Sequence, residues 1–471
     1  MTVTGKDLIA LGWEAGPGFD KALARANALE LTGEALADWV QANKPAPRMP
    51  LQDAPDYAFN LVAETEAEED NVAKVRETMD VLMRTPTLRA GAVMPDACPA
   101  GPVGTIPVGG VVAAEGAIHP GMHSADICCS VMVTEFQDSA PGDILDAVHK
   151  ATHFGPGGRP NGQRYTVSPD LYDAFRANAF LKDKKILQAA QEHLGTQGDG
   201  NHFAYVGRSK AKGTTCLVTH HGSRGPGAGL YKLGMRVAEG FRKRLSVGVL
   251  KQNAWIPADT PEGEAYWEAL QLIRKWTKAN HNCLHAAAAA FAGAKVVERF
   301  WNEHNFVFRK GDLFYHAKGA TPVDGDLLPD TSGVQIVPLN MAEPVLLIRG
   351  AVTDRNLGFA PHGAGRNYSR SAHKRAMAGE AEQAIFDRET SGLDVRFYSP
   401  HIDISELPSA YKPAATVRAQ MKQFDLADVV DEIEPYGCIM AGDWERTAPW
   451  RLKAQVKHAA RQEAEASGGS S

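Results

Sequence analysis

The chain has little cysteine: six in 471 residues, two of them adjacent as Cys128-Cys129. So few, placed so unevenly, do not make a disulfide framework, and neighbouring cysteines rarely bridge each other. Long apolar runs are missing too, as are a charged-then-apolar leader and a twin-arginine start, so neither a membrane span nor export is expected. The expected compartment is the reducing cytoplasm, where a cysteine near His and Asp reads first as a metal ligand or nucleophile. Charge of one sign is scarce as well. Fifty Lys and Arg against 56 Asp and Glu leave −6, which argues against a protein coated with nucleic acid but permits a local basic cleft. With 44% apolar and 23% charged residues, the composition is ordinary and globular, and the length suits one large domain or two to three smaller ones. Histidine is more informative. There are sixteen, and many stand within two residues of a glycine rather than inside apolar periodic runs.

The periodicity predicts short amphipathic helices from Lys6, from Phe19 to Leu31 and from Glu34 to Ala42, then a Pro-rich stretch. The acidic run Glu64 to Asp70 reads as a solvated helix face. From Met94 the texture turns to short apolar strands split by Gly and Pro. Helices are predicted at Pro169 to Lys182, Lys185 to Leu194, and as a long pair, Pro261 to Lys278 and Leu284 to His304. There is no internal repeat and no regular βαβ alternation, so the fold class expected is α+β. A basic helix, Arg446 to Arg461, precedes a tail of small residues.

Four blocks place metal-type side chains in a loop bounded by apolar strands, three of them with glycine alongside. Asp126-Ile-Cys-Cys129 sets a carboxylate and a thiol three positions apart, able to meet one ion at a bend. Gly198-Asp-Gly-Asn-His202-Phe203 has glycines that allow close backbone approach to a ligand. In Thr219-His-His-Gly-Ser-Arg224-Gly225 an apolar strand runs into histidine and then an arginine suited to bidentate phosphate binding. His362-Gly-Ala-Gly-Arg366, with Ser369-Arg370, joins histidine, glycine and two arginines as a phosphate site requires. Imidazole, thiolate and carboxylate together suit Mn, Zn, Fe or Co, and a thiolate can bridge two ions. By spacing alone, turn or core histidines account for the same pattern.

In this order the blocks resemble the RtcB family of RNA-splicing ligases, from about Met94-Pro95-Asp96 to Ala410-Tyr411-Lys412, with His316-Ala-Lys-Gly-Ala-Thr321 as a further motif. The resemblance implies one large catalytic domain over 76–445 with a metal-containing central cleft, after a helical extension over 1–75 and before a basic helix and tail over 446–471. It implies two Mn²⁺ held by Asp126, bridging Cys129, His202, His220 and His304. His220 matches in preference to His221, and Cys129 in preference to Cys128. It implies GTP as the nucleotide and His362 as the nucleophile that takes up GMP. The nucleotide would lie against Asn201, His202, His304, Asn305, Asn340, Met341 and the run His362, Gly363, Ala364, Gly365. Arg224, Arg366 and Arg370 would hold phosphates of nucleotide or RNA. The implied reaction joins an RNA 3′-phosphate or 2′,3′-cyclic phosphate to a 5′-hydroxyl. The implied partner is RNA with broken ends, and the need for an archease-like activator is left open.

The chain departs from the family pattern where the base is read. Tyr205 stands in place of a glutamate, Asn340 and Val345 in place of serines, and Met440 in place of a lysine, for which Lys453 or Lys457 is a candidate substitute. Asp96-Ala97-Cys98 replaces Asp-x-His, and Ala317 replaces an arginine. The metal positions and His362 are intact, so the expectation is a divergent paralogue that keeps metal-assisted nucleotidyl transfer but binds GTP differently or prefers another nucleotide. The alternatives are a dinuclear-metal phosphoesterase or an RNA end-capping nucleotidyltransferase, and behind them a non-catalytic RNA-binding relic. The amino-terminal helices resemble a piece of RNA nucleotidyltransferases, and read equally as a capped helical hairpin.

Overall fold

A computed structural model describes residues 2–16, 18–44, 48–328 and 332–446. The chain mixes helices with two large, mainly antiparallel sheets, the α+β class expected. At the start, helices Gly5–Ala10, Phe19–Ala28 and Gly33–Asn43 close around their own apolar cluster of Leu8, Ala26 and Val40. Trp13 stacks on Trp39 there at 5.5 Å between ring centres. The next helix, Glu66–Leu82, runs unbroken through residue 75. Its Val75, Met79 and Leu82 are buried in one cluster with Leu88 and Val93 of the strand Leu88–Cys98, so the boundary expected near 75 falls inside an element. The acidic run is only partly solvated: Glu68 is buried and accepts the Glu64 N–H at 2.8 Å.

The first sheet has five strands in the order Ala58–Phe59, Leu88–Cys98, Val108–Glu115, Leu313–Lys318, Asn305–Lys310. The second sheet runs Gln335–Val337, Val345–Arg349, Asp428–Met440, Phe203–Ser209, Thr215–His221, Ser130–Gln137, Lys295–Glu303. An eighth strand, Asp394–Phe397, adds parallel to Asp428–Met440. A two-stranded ribbon pairs Ala320–Pro322 with Phe359–Pro361 and delivers the chain to His362.

The helix pair expected between Pro261 and His304 is instead a single helix, Pro261–Ala292, followed by the strand Lys295–Glu303. The polar stretch around Asn280 and His281 reads as a helix break. Both residues are fully buried, and their hydrogen bonds run sideways to Gly195, Thr219 and Ser130, so the helix continues through them. It stops at Gly293, in the left-handed conformation with φ 59°, where a side chain would be strained. The residues that follow form the edge strand of the second sheet, exposed at its start and buried at its end. The correction matters for the site, because it puts His304 between a strand of each large sheet rather than at a helix end. The expected basic helix from Arg446, with Lys453 and Lys457, lies outside the described residues.

Candidate metal centre and nucleotide cleft

Four metal-type side chains come from one end of four neighbouring strands. In the second sheet, Phe203–Ser209, Thr215–His221, Ser130–Gln137 and Lys295–Glu303 lie side by side and antiparallel. The starts of the first and third therefore share an end with the finishes of the second and fourth. His202 precedes the first, His220 lies near the finish of the second, Cys129 precedes the third, and His304 follows the fourth. The His304 N–H donates to the Cys129 carbonyl at 3.0 Å, locking the last two together. Asp126 enters from the loop before Cys129. Its carboxylate lies under Gly222, where a Cβ would come within 2.0 Å of Oδ1; only glycine lets the two segments approach so closely.

The donor atoms form two sets that share one sulfur. Asp126, Cys129 and His202 make one; Cys129, His220 and His304 make the other, and within each set the atoms lie within 4.8 Å of one another. Cys129 Sγ is 3.7 Å from His202 Nε2 and 3.1 Å from His220 Nε2. Cys128 takes no part. With φ 58° it turns into the main apolar core.

The chemistry of these donors fits cations. His202 Nδ1 faces the Gln197 carbonyl at 2.7 Å, and His220 Nδ1 faces the Asn201 carbonyl at 3.0 Å. These partners assign the protons to Nδ1, which turns an Nε2 lone pair inward on each ring. The His202 lone pair then faces Asp126 Oδ2 at 3.0 Å, and that of His220 faces His304 Nε2 at 3.1 Å. A lone pair directed at a carboxylate is repelled unless a cation lies between the two. Burial lowers His220 to about 3, with His202 acting the same way. Burial, with His362 beside it, also takes His304 well down. Both rings are therefore neutral, the form able to ligate a metal. Burial pushes the Cys129 thiol well up, and Asp126 adds to it, so a thiolate there needs a cation for company.

His362 stands against this cluster, its ring centre 5.0 Å from that of His304. Its Nδ1 is 2.5 Å from Asp96 Oδ2, and its backbone N–H donates to the same oxygen at 3.1 Å. Asp96 is fully buried. The two contacts fix the ring and leave Nε2 as the free nitrogen. The loop after His362 closes over Asp96. Gly365, at φ 69°, sits where a Cβ would be 1.9 Å from the Asp96 carbonyl oxygen. In the sequence Asp96 stands out only as part of an altered motif. Its Met-Pro-Asp setting carries no signal of a histidine partner far along the chain.

A cavity of about 780 Å³ opens on this centre. Asp126, Cys129, His220, His304 and His362 line it, as do Asn201, Asn305, Asn340, Met341, Gly363, Ala364 and Gly365. Asn305 Oδ1 accepts the Gly319 N–H at 2.7 Å, and Asn340 Oδ1 the Ala342 N–H at 2.9 Å. The three arginines part company. Arg366 and Arg370 are in the wall, both tied to the buried Glu406, at 2.7 Å each. Arg366 also lies over the Tyr411 ring at 4.4 Å. Arg224 is behind the cluster, its guanidinium filling the space a Gly198 side chain would need; His202 too stands behind Asp126 and is not in the cavity wall. Lys318, which belongs to the His316 motif but had no role assigned from sequence, lines the cavity and donates to the Ile106 carbonyl at 3.0 Å. Burial brings its amine down to about 8.

Beneath the cluster a second group of histidines is fully buried. His221 stacks on His281 at 3.5 Å, and Thr219 Oγ1 links His281 and His285 at 2.7 Å each. This network holds the strand that carries His220 to the long helix.

Known proteins share this chain's pattern. The family model described as tRNA-splicing ligase RtcB matches residues 170–441, more than half of the chain. The RNA-splicing ligase RtcB of Mycobacterium bovis is 26% identical over 405 residues, covering 71% of this chain and 93% of that protein. The tRNA-splicing ligase RtcB of Aeropyrum pernix is 24% identical over 407 residues, covering 70% and 84%. The RNA-splicing ligase RtcB of Escherichia coli K12 is 25% identical over 369 residues, covering 70% and 86%. The matched segment contains His202, His220, His304 and His362, and with it the chain belongs to the RtcB family.

Proposed function

We propose that this protein is an RNA ligase that joins a 3′-phosphate or 2′,3′-cyclic phosphate end to a 5′-hydroxyl end through a nucleotide carried on His362. The observation that carries the reading is the fixed ring of His362, with Nδ1 on Asp96 and the free Nε2 beside the two donor sets. Asp126, Cys129 and His202 would hold one metal ion, and Cys129, His220 and His304 a second, both Mn²⁺ by family. Bound there, such ions supply neutralisation of phosphate oxygens.

The chain's own groups do the rest. Nε2 of His362 attacks the α-phosphorus of a nucleoside triphosphate; the N–P bond forms, the bond to the bridging oxygen breaks, and pyrophosphate leaves. Asp96 keeps the Nδ1 proton in place and stabilises the charge that develops on the ring. A 2′,3′-cyclic end is first opened by water to a 3′-phosphate. An oxygen of that phosphate attacks the phosphorus on His362, freeing the histidine and leaving the nucleotide on the RNA end. The 5′-hydroxyl of the second strand then attacks the RNA phosphate, gives up its proton and expels the nucleoside monophosphate. Arg366 and Arg370, held side by side by Glu406, face the phosphates from the cavity wall.

A ligation assay tests this reading. Mn²⁺-loaded protein, a nucleoside triphosphate, a 5′-hydroxyl strand and a 3′-phosphate strand should give a longer product that is absent with His362→Ala. Strands that stay unjoined, with an end phosphate lost or a single nucleotide added, would support the phosphoesterase or end-capping alternatives.

A further inference from the structure

One part of the cavity has no charged side chain at all. Beyond the metal cluster the wall is made by Phe203, Tyr205, Met341, Val345, Cys438 and Met440. Strand register gives its position. His220 pairs with Phe203, and Phe203 pairs with Met440 on the next strand, so the three share one face of the sheet. Two residues further along, Tyr205 pairs with Cys438 on that same face. At about 4.8 Å per strand, Met440 lies roughly 10 Å across the sheet from His220, with Tyr205 a further ~7 Å along its strand from Phe203. The apolar wall therefore begins beside a metal ligand and ends a sugar's length or more away.

Two oxygens near this wall are already engaged. The Tyr205 hydroxyl donates to the Ile433 carbonyl at 2.8 Å. The Asn340 carboxamide oxygen accepts the Ala342 N–H. A flat ring entering here meets sulfur, methyl and aromatic surface on its faces, and no carboxylate or ammonium among these six at its edge.

We infer that this apolar end takes the purine base of the nucleotide by its faces, and that the protein accepts an adenine nucleotide at least as well as a guanine one. This rests on the reading that a nucleotide reacts at His362. Guanine carries a carbonyl, a ring N–H and an amino group along one edge, adenine an amino group and a ring nitrogen. Where a wall offers the edge no partner, the base with more polar groups loses more on leaving water. The apolar contact is nearly the same for both, so discrimination follows the edge.

The test is isothermal titration of Mn²⁺-loaded protein with the α,β-methylene analogues of ATP and GTP, which bind but cannot transfer their nucleotide. The adenine analogue should bind with a Kd equal to or lower than that of the guanine analogue. Met440→Ala should weaken both by one common factor of about five to ten, since it removes face contact without touching an edge. Val345→Ala serves as the second variant should Met440→Ala fail to fold, with the same expectation. A guanine analogue more than tenfold tighter than the adenine one, no binding of either, or variants that leave both Kd values unchanged would overturn the inference. Binding with the expected preference, but no adduct on His362 from the natural triphosphates, would count against the ligase reading alone.

Discussion

Asp96 Oδ2 lies 2.5 Å from Nδ1 of His362, across 266 residues of chain, and accepts the His362 backbone N–H as well. One buried oxygen thus sets both the position and the tautomer of the ring. Asp96→Asn keeps the shape and removes the charge. It should slow single-turnover transfer of nucleotide to His362 by about 10²-fold or more. Rapid quench with an α-labelled triphosphate measures this, and metal content should stay as in the wild type. An unchanged rate would mean that Asp96 is only a packing residue.

Sharing Cys129 between the two donor sets predicts unequal losses of metal. Cys129→Ala should empty both sites, because each set loses its sulfur. His202→Ala should lower the Asp126 set and spare the other, and His304→Ala the reverse. Elemental analysis after gel filtration of Mn²⁺-loaded protein would report this. Loss of a single equivalent from Cys129→Ala would show that the sulfur does not bridge.

Asp126, Cys129, His202 and His220 stood out in the sequence as metal-type side chains in short loops at strand ends, a local pattern, whereas His304 and the choice of Cys129 over Cys128 and His220 over His221 came from the family resemblance. Much of their support is not local. Asp96 meets His362 only through the ribbon that brings Phe359–Pro361 back to the core. Glu406, which ties Arg366 and Arg370, stands in an Ile-Ser-Glu turn with nothing in its spacing to mark it. The long helix was misread because Asn280 and His281 interrupt its apolar period. Their partners are Gly195, Thr219 and Ser130 on other elements, and no helical pattern contains them. Tertiary hydrogen bonds decided these points, and sequence periodicity cannot express them.

Glu406 gives a prediction for stability. Its carboxylate is almost wholly buried and accepts from Arg366, Arg370 and the Tyr411 hydroxyl. Glu406→Gln leaves an uncompensated guanidinium in a closed setting, since Arg366 is itself mostly buried. Unfolding free energy should fall by about 3 kcal/mol, toward the low end for breaking a buried ion pair because Arg370 is half exposed. Urea denaturation would show a lower midpoint at constant slope. A midpoint equal to that of the wild type would mean that solvent already screens the pair.

Lys318 gives a prediction for pH. Burial lowers its amine to about 8, so below that pH the cavity wall carries an ammonium and above it a neutral amine. Polyphosphate binding gains from the ammonium. Affinity for a triphosphate should therefore fall between pH 7 and 9 in the wild type, and Lys318→Met should be weaker at pH 7 and lose about an order of magnitude of that dependence. Titrations of both proteins in parallel cancel any change in the metal itself. Identical pH profiles would remove Lys318 from the binding site.

The central claim is that His362 carries the nucleotide, and the most direct measurement is to find it there. Mn²⁺-loaded protein would be incubated with each α-labelled nucleoside triphosphate, then tested for an acid-labile, alkali-stable adduct and mapped by mass spectrometry. The account predicts one nucleoside monophosphate on His362, with no label in His362→Ala. An adduct on another residue, or none from any nucleotide while metal is bound, would contradict it.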